Sequence, residues 1–181
     1  MAGKAVTDGD RERITRHHQT ELTTVAGGFS GGHRPTLINP QVFGSVDAMT
    51  RFVVDCGAVL HLAAEEIEVP GEHELLAPTL LRSQTLSALH EAVHDGALSS
   101  DVALERLARI WAMPIRLLGD AVLRRRAWAV AEQLEWDETY DAEYVALTQL
   151  QADAFVTLDA DLARRVEGIV PTAKIEALQT A

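Results

Sequence analysis

Residues 139–159, TYDAEYVALTQLQADAFVTLD, raise two questions about aspartate. Asp141 lies on the helical stripe that Val145, Thr148 and Ala152 continue, and the short β-like run AFVT, residues 154–157, leads through Leu158 to Asp159. An ionised carboxylate facing a core is costly unless it is paired or bound to a metal. Two such carboxylates, one on a helix and one just past a strand, therefore suggest a site built where helix and strand meet.

The same alternation extends in both directions from this stretch. Upstream, FVVD (52–55) is a short β-branched and aromatic run, and AVLHLAAEE (58–66) has helical character. HELLAP (73–78) follows as a strand, and TLLRSQTLSALHEAVHDG (79–96) repeats apolar residues at helical spacing before stopping at Gly96. Ser100 or Asp101 is placed to cap a helix through VALERLARIWAM. IRLLG (115–119) is strand-like, and Asp120 opens the helix AVLRRRAWAVAEQL. Asp137 is expected to cap the helix that holds Asp141. Downstream, Asp159 opens DLARRVEG, and GIVP is read as a last short strand. Strands alternating with helices predict an α/β fold with a parallel sheet covered on both faces. Sites in such sheets form at the carboxyl ends of strands, near the switch in strand order.

Composition narrows the possibilities further. The chain has 181 residues, 47% of them hydrophobic and 24% charged, enough for one domain with a substantial core. Its one cysteine, Cys56, cannot form an internal disulfide, which favours a reducing compartment. No apolar run approaches the ~20 residues that span a bilayer, and the N-terminal region has no apolar secretory core, so a cytoplasmic, non-membrane protein is expected. Residues 1–48 carry five basic residues (Lys4, Arg11, Arg13, Arg16, Arg34) and five acidic ones (Asp8, Asp10, Glu12, Glu21, Asp47), so the formal charge of -11 belongs to residues 49–181. Such a surface excludes coating of nucleic acid by bulk electrostatics. Residues 1–48 are polar, then Gly- and turn-rich through VAGGFSGGHRPTLINP, and are expected to form a poorly ordered N-terminal extension. Met49 opens the core-like sequence MTRFVVDCG, which makes it the expected start of the folded domain, 49–181, and a candidate translation start.

Individual residues have competing explanations. Asp55 and Asp159 both end predicted strands, where an aspartate is also an ordinary helix N-cap. Asp141 is in the first turn of its helix, where the dipole favours an anion, yet it follows an apolar stripe. Gln84, flanked at helical spacing by Leu80, Leu81 and Ala88, is either a core amide bonded to backbone or part of the same site. HEAVH, residues 90–94, satisfies the zinc-peptidase spacing with His90 and His94 as ligands, Glu91 as general base and Glu105 as a third ligand. Three fixed positions are easily met by chance, and a polar helix end is the simpler reading. Cys56 and His61 are read as packing and core-edge residues, and Trp111, Trp128 and Trp136 as filling space between helices and sheet. Arg124, Arg125 and Arg126 are read as a solvated face in preference to local help for an anionic substrate.

VVDCGAVLHL, LLAPTLLRSQTLSAL, YDAEYVALTQLQADAFVTLD and ADLARR, in this order and spacing, resemble the successive motifs of the PIN domain, in the VapC-type toxin ribonucleases of bacterial toxin–antitoxin modules. The resemblance implies a three-layer sandwich with a central parallel sheet of four to five strands. It also implies an acidic site, whose aspartates fall on Asp55, Asp141 and Asp159. The family's glutamate position falls on Gln84, so the site has three carboxylates and an amide. Asp55, Asp141 and Asp159 would hold one Mg2+ or Mn2+ ion for hydrolysis of RNA phosphodiesters, leaving a 3′-hydroxyl and a 5′-phosphate. Arg82 would help bind substrate, and Thr157 corresponds to the family's hydroxyl residue that orders the carboxylates. A small antitoxin protein and a homodimer are further implications. Because of Gln84, the alternative is a PIN-fold module that binds RNA or a partner without cutting it.

Overall fold

A computed structural model of the chain describes residues 49–180. The chain divides into two units, Met1–Val42 and Phe43–Ala181, and every described residue belongs to the second. The expectation of a poorly ordered extension over residues 1–48 lies outside the described residues.

The described chain alternates strands and helices as the sequence pattern requires. Strand β1 (Thr50–Val54) is followed by α1 (Cys56–Ala64), β2 (His73–Pro78), α2 (Leu81–His94) and α3 (Ser100–Ala112). Then come β3 (Ile115–Leu118), α4 (Ala121–Gln133), α5 (Tyr140–Gln151), β4 (Ala154–Val156), α6 (Ala160–Arg165) and β5 (Thr172–Ala173), with a final 3₁₀ turn at Ile175–Leu178. The strands form one sheet in the order β3-β2-β1-β4-β5, parallel at every pairing. Phe52, Val53 and Val54 of β1 are buried in succession, as expected of a central strand covered on both faces. Val53 is in register with Leu76 on one side and Phe155 on the other, all three fully or almost fully buried. Each such side chain removed from water contributes about 1.5–3 kcal/mol before chain entropy is counted. The expected α/β sandwich, a parallel sheet of four to five strands between helices, is therefore present with five strands.

Helix α5 holds the densest part of the core. It packs on β1, β2 and β4 and against α4, while α1, α2 and α3 pack against one another. Residues Ala142, Tyr144, Val145, Ala146, Leu147 and Thr148 are all buried, so α5 is enclosed nearly all round. The Thr148 hydroxyl accordingly donates to the Tyr144 carbonyl oxygen at 2.9 Å instead of to water.

The strand order reverses direction at β1. From β1 the chain steps outward to β2 and β3, then returns to β4 on the other side of β1. The crevice beyond the carboxyl ends of β1 and β4 is thus the switch point at which parallel sheets place their sites, and Asp55 and Asp159 stand at its two sides.

Several local expectations are corrected. Asp137 does not cap α5; the N-cap is Thr139, with no side-chain hydrogen bond. GIVP is not a strand: Gly168 adopts φ 77° after α6, and pairing begins where the Pro171 carbonyl accepts the Phe155 N–H at 2.9 Å, giving β5 at Thr172–Ala173. Ser99, not Ser100 or Asp101, caps α3. Helix α1 starts two residues earlier than its apolar pattern, because Asp55 caps it. Trp111 and Trp128 do not fill the interior; they are 67% and 64% exposed. No helix among the described residues is long and apolar enough to cross a membrane.

Candidate active site

Asp55 follows β1 and is buried. Its Oδ1 accepts the Ala58 backbone N–H at 2.7 Å, capping α1, so the cap reading and a place in the crevice hold together for one side chain. Burial raises its pKa above the ordinary carboxylate value, hydrogen bonds from the Thr157 hydroxyl and the Ala58 N–H offset part of this, and the negative charges of Asp141 and Asp159 raise it further. Three aspartates from three separate elements therefore feel one another.

Asp159 is the N-cap of α6. Its Oδ1 accepts the N–H groups of Asp161 at 2.8 Å and Leu162 at 3.0 Å. Among the described residues Oδ2 has no hydrogen-bond partner. The Thr157 hydroxyl oxygen accepts the Asp159 N–H at 3.0 Å and thereby fixes the turn between β4 and α6. Thr157 thus lies between Asp159, whose N–H it accepts, and Asp55, whose pKa it lowers.

Asp141 is half-buried in the first turn of α5. Burial raises its pKa, the nearby Arg165 guanidinium counteracts this, and Asp159 adds to the rise. Asp141, Gln84 and Arg165 line one cavity of about 330 Å³ together with Trp136, Asp137, Glu138 and Tyr140.

Gln84 is half-buried on α2, and its Oε1 accepts a hydrogen bond from the Tyr144 hydroxyl at 2.5 Å. The reading of Gln84 as a core amide bonded to backbone is thereby replaced, since its oxygen pairs with a side chain of α5. Tyr144 is buried and stacks on Phe155 at 6.2 Å between ring centroids. Burial and the charges of Cys56, Asp55, Asp141 and Glu143 push its phenol pKa up, so the hydroxyl stays protonated and donates. The Cys56 thiol is pushed up to about 11 by burial and by Asp55, which keeps it a packing group and not a nucleophile.

Arg82 lies elsewhere. It is exposed on α2 and borders a separate, mostly apolar groove with Leu86, Ile110 and Trp111, away from the aspartates. The cation near the site is instead Arg165, which the sequence reading passed over, as it did Tyr144. Tyr144 is three residues after Asp141, so helical spacing placed both on one side of α5. Arg165 adjoins Arg164, and the sequence does not say which of two adjacent arginines turns inward.

The histidine motif gains no support. His90, Glu91 and His94 are exposed, and the expected third ligand, Glu105, is in an ion pair with Arg109 at 2.8 Å. Among the described residues no three His, Cys, Asp or Glu side chains are close enough to form a ready-made metal cage. The donor chemistry at Asp55, Asp141 and Asp159 nonetheless fits a hard divalent cation. The donors are carboxylate oxygens, and two of the three groups bear a mutual repulsion that a cation relieves.

No protein-family model and no curated protein matches the sequence. Among solved structures, PAE2754 from Pyrobaculum aerophilum is similar in fold, with 22% sequence identity and a TM-score of 0.56 over 72% of this chain and 94% of PAE2754. A PilT N-terminus domain protein, SSO1118 from Sulfolobus solfataricus P2, aligns at 14% identity and a TM-score of 0.42 over 72% of this chain and 91% of its own. The fold is shared with PAE2754; the chemistry has to be argued from the residues.

Proposed function

We propose that the protein is a PIN-type, metal-dependent endoribonuclease, the toxin of a VapC-like toxin–antitoxin pair. The observation that supports this reading is the position of Asp55 and Asp159 at the switch point, with Asp141 near enough that its charge and that of Asp159 add to the rise that burial gives the Asp55 carboxyl. Asp55, Asp141 and Asp159 would hold Mg2+ or Mn2+. When bound, the ion supplies charge neutralisation at the phosphate and a more acidic water.

The chain's own residues supply the frame. The Ala58 N–H fixes the Asp55 carboxylate, with the Thr157 hydroxyl close enough to lower its pKa, and the α6 N–H groups fix Oδ1 of Asp159. Preset donors of this kind need little rearrangement when substrate arrives. Water is added across a backbone P–O3′ bond, so the products carry a 3′-hydroxyl and a 5′-phosphate. A small antitoxin whose C-terminal segment fills the acidic crevice, a homodimeric state and a cytoplasmic location complete the proposal, on the strength of the sequence resemblance.

A second reading, an RNA- or partner-binding module without cleavage, is favoured by one contact. The Gln84 oxygen is engaged by Tyr144, so the position gives a cation no charge and has one of its two lone pairs already taken. Incubation of the full chain with RNA in Mg2+ or Mn2+ separates the two. The nuclease reading expects cleavage that EDTA abolishes and that Asp55→Asn or Asp141→Asn lowers at least a hundredfold, in the range of lost metal-centred catalysis. Tight RNA binding with no cleavage in either metal supports the binding module instead.

A further inference from the structure

Trp136 is held in place by the backbone. The chain leaves α4 through Leu134 and Glu135, and Glu135 adopts the left-handed conformation with φ 55°. The Trp136 N–H then donates to the Ala131 carbonyl at 2.9 Å and the Glu135 N–H to the Glu132 carbonyl at 3.3 Å, the paired bonds of a Schellman turn. The indole is half-buried and borders the cavity that contains Asp141 and Gln84.

The Arg165 guanidinium lies over this ring, with its Cζ 4.4 Å from the centroid. Its neighbour Arg164 is engaged by Asp161. Arg165, by contrast, makes no direct ion pair and no hydrogen bond among the described residues, where the ion-paired arginines are Arg51, Arg109, Arg116 and Arg164. A planar cation is thus oriented by an aromatic face, exposed to solvent and beside the acidic site, with all five N–H donors unspent. An exposed arginine that only neutralised Asp141 would be expected to contact it.

We propose that Arg165 is a phosphate-binding residue of this site, held by Trp136 so that its guanidinium takes a backbone phosphate of RNA lying across the cavity beside Asp141. The proposal rests on the ribonuclease or RNA-binding reading and adds to it the group that receives the anion. Guanidinium matches phosphate oxygens through paired N–H bonds, and the stacked ring reduces the freedom lost when those bonds form. It also gives an acidic crevice a local cation where Arg82 supplies none.

The test measures binding of poly(U) by the full chain in Ca2+ over a range of KCl concentrations, alongside Mg2+ binding by calorimetry. Arg165→Met is expected to weaken poly(U) binding about tenfold, the loss of one charged hydrogen-bonded contact. It should also shift the slope of log affinity against log salt by ~0.7 relative to wild type, the signature of one lost contact to a single strand. Mg2+ affinity should not fall. Arg165→Lys should keep the wild-type slope yet lose affinity several-fold, because the charge remains and the planar fork does not. That variant decides the matter if Arg165→Met fails to fold. Wild-type affinity and slope in Arg165→Met, with tighter Mg2+ binding, would show Arg165 to be only a counter-ion of Asp141 and overturn the proposal while leaving the metal-site reading intact. If the wild-type chain binds neither poly(U) nor Mg2+, that reading falls and this proposal falls with it.

Discussion

At Gln84 the Tyr144 hydroxyl meets an oxygen that a glutamate would keep, which makes Gln84→Glu an informative substitution. The new carboxylate would still accept the Tyr144 hydrogen bond now made at 2.5 Å, but it would add a charge to the cavity shared with Asp141. Without metal it should destabilise the chain by on the order of 1 kcal/mol, the equivalent of about one pKa unit of repulsion. In Mg2+ or Mn2+ the loss should disappear and RNA cleavage should rise; chemical denaturation with and without metal measures both. A loss that metal does not relieve would remove Gln84 from the site. Asp55 gives a pH dependence of defined sign. Its folded pKa is raised, chiefly by burial, so the folded state holds the proton more tightly than the unfolded state, and stability falls as pH rises from the unfolded value of 3.8 through the folded one. In EDTA, Asp55→Asn should therefore be more stable than wild type at neutral pH. The difference should vanish below pH 3.8, where both states of the aspartate are protonated. Equal stability at neutral pH would contradict the burial of a charge there. The places of Asp55 and Asp159 at strand ends and of Asp141 on an apolar stripe were legible in the sequence, because strand ends and helical periodicity can be read there. Tyr144 and Arg165 carry no such mark: a tyrosine in a buried helix and an arginine in a polar one are ordinary, and only tertiary packing gives them partners.

Helices α1, α4 and α6 all start at an aspartate whose side chain accepts backbone N–H groups, so at the level of elements the cap role of Asp159 can be separated from its proposed role in the site. Asp120, at the start of α4, serves as a control: it accepts the N–H groups of Val122 and Leu123, and its charge is not among those that raise Asp55 or Asp141. Asparagine caps about as well as aspartate, whereas alanine does not. Asp159→Asn should thus leave stability within a few tenths of a kcal/mol of wild type, since the cap is kept, yet abolish metal-dependent cleavage. Asp120→Ala should cost about 1 kcal/mol and leave cleavage per folded molecule unchanged. Urea denaturation and RNA cleavage on the same samples check both; full cleavage by Asp159→Asn would reduce Asp159 to a cap. Elements of this kind were largely legible because the caps and the helical period agree, and β2 falls on HELLAP as expected. The failures came where backbone geometry outweighed composition. Asp137 looked like a cap, but the chain enters α5 through Thr139, and GIVP looked like a strand, but its glycine takes a positive φ and pairing starts only at the Pro171 carbonyl. The tryptophans misled for a related reason: composition gives size, not side, and the surface carries Trp111 and Trp128.

The molecule as a whole sets a large negative field against its proposed substrate. The formal charge of -11 belongs entirely to residues 49–181, the part that contains the site, so any cation stabilises this chain to some degree by screening self-repulsion. A bare rise in melting temperature on adding Mg2+ would therefore prove nothing about a site. The discriminating comparison is Mg2+ or Mn2+ against KCl at equal ionic strength. Screening acts alike for both, whereas a bound ion adds a term that grows with the logarithm of its concentration above the dissociation constant, about 2.7 kcal/mol at a hundred times that constant. Wild type should show this excess stabilisation, rising logarithmically with divalent concentration once the site is filled. Asp141→Asn should lose the excess and keep the screening component, because it removes one donor from the site and only one charge from the surface. Asp120→Asn, which also removes one charge but caps α4 as before, should retain the full excess. If the divalent and KCl curves coincide at equal ionic strength, or if Asp120→Asn and Asp141→Asn behave alike, the response is the field of the whole molecule and the three aspartates do not hold an ion.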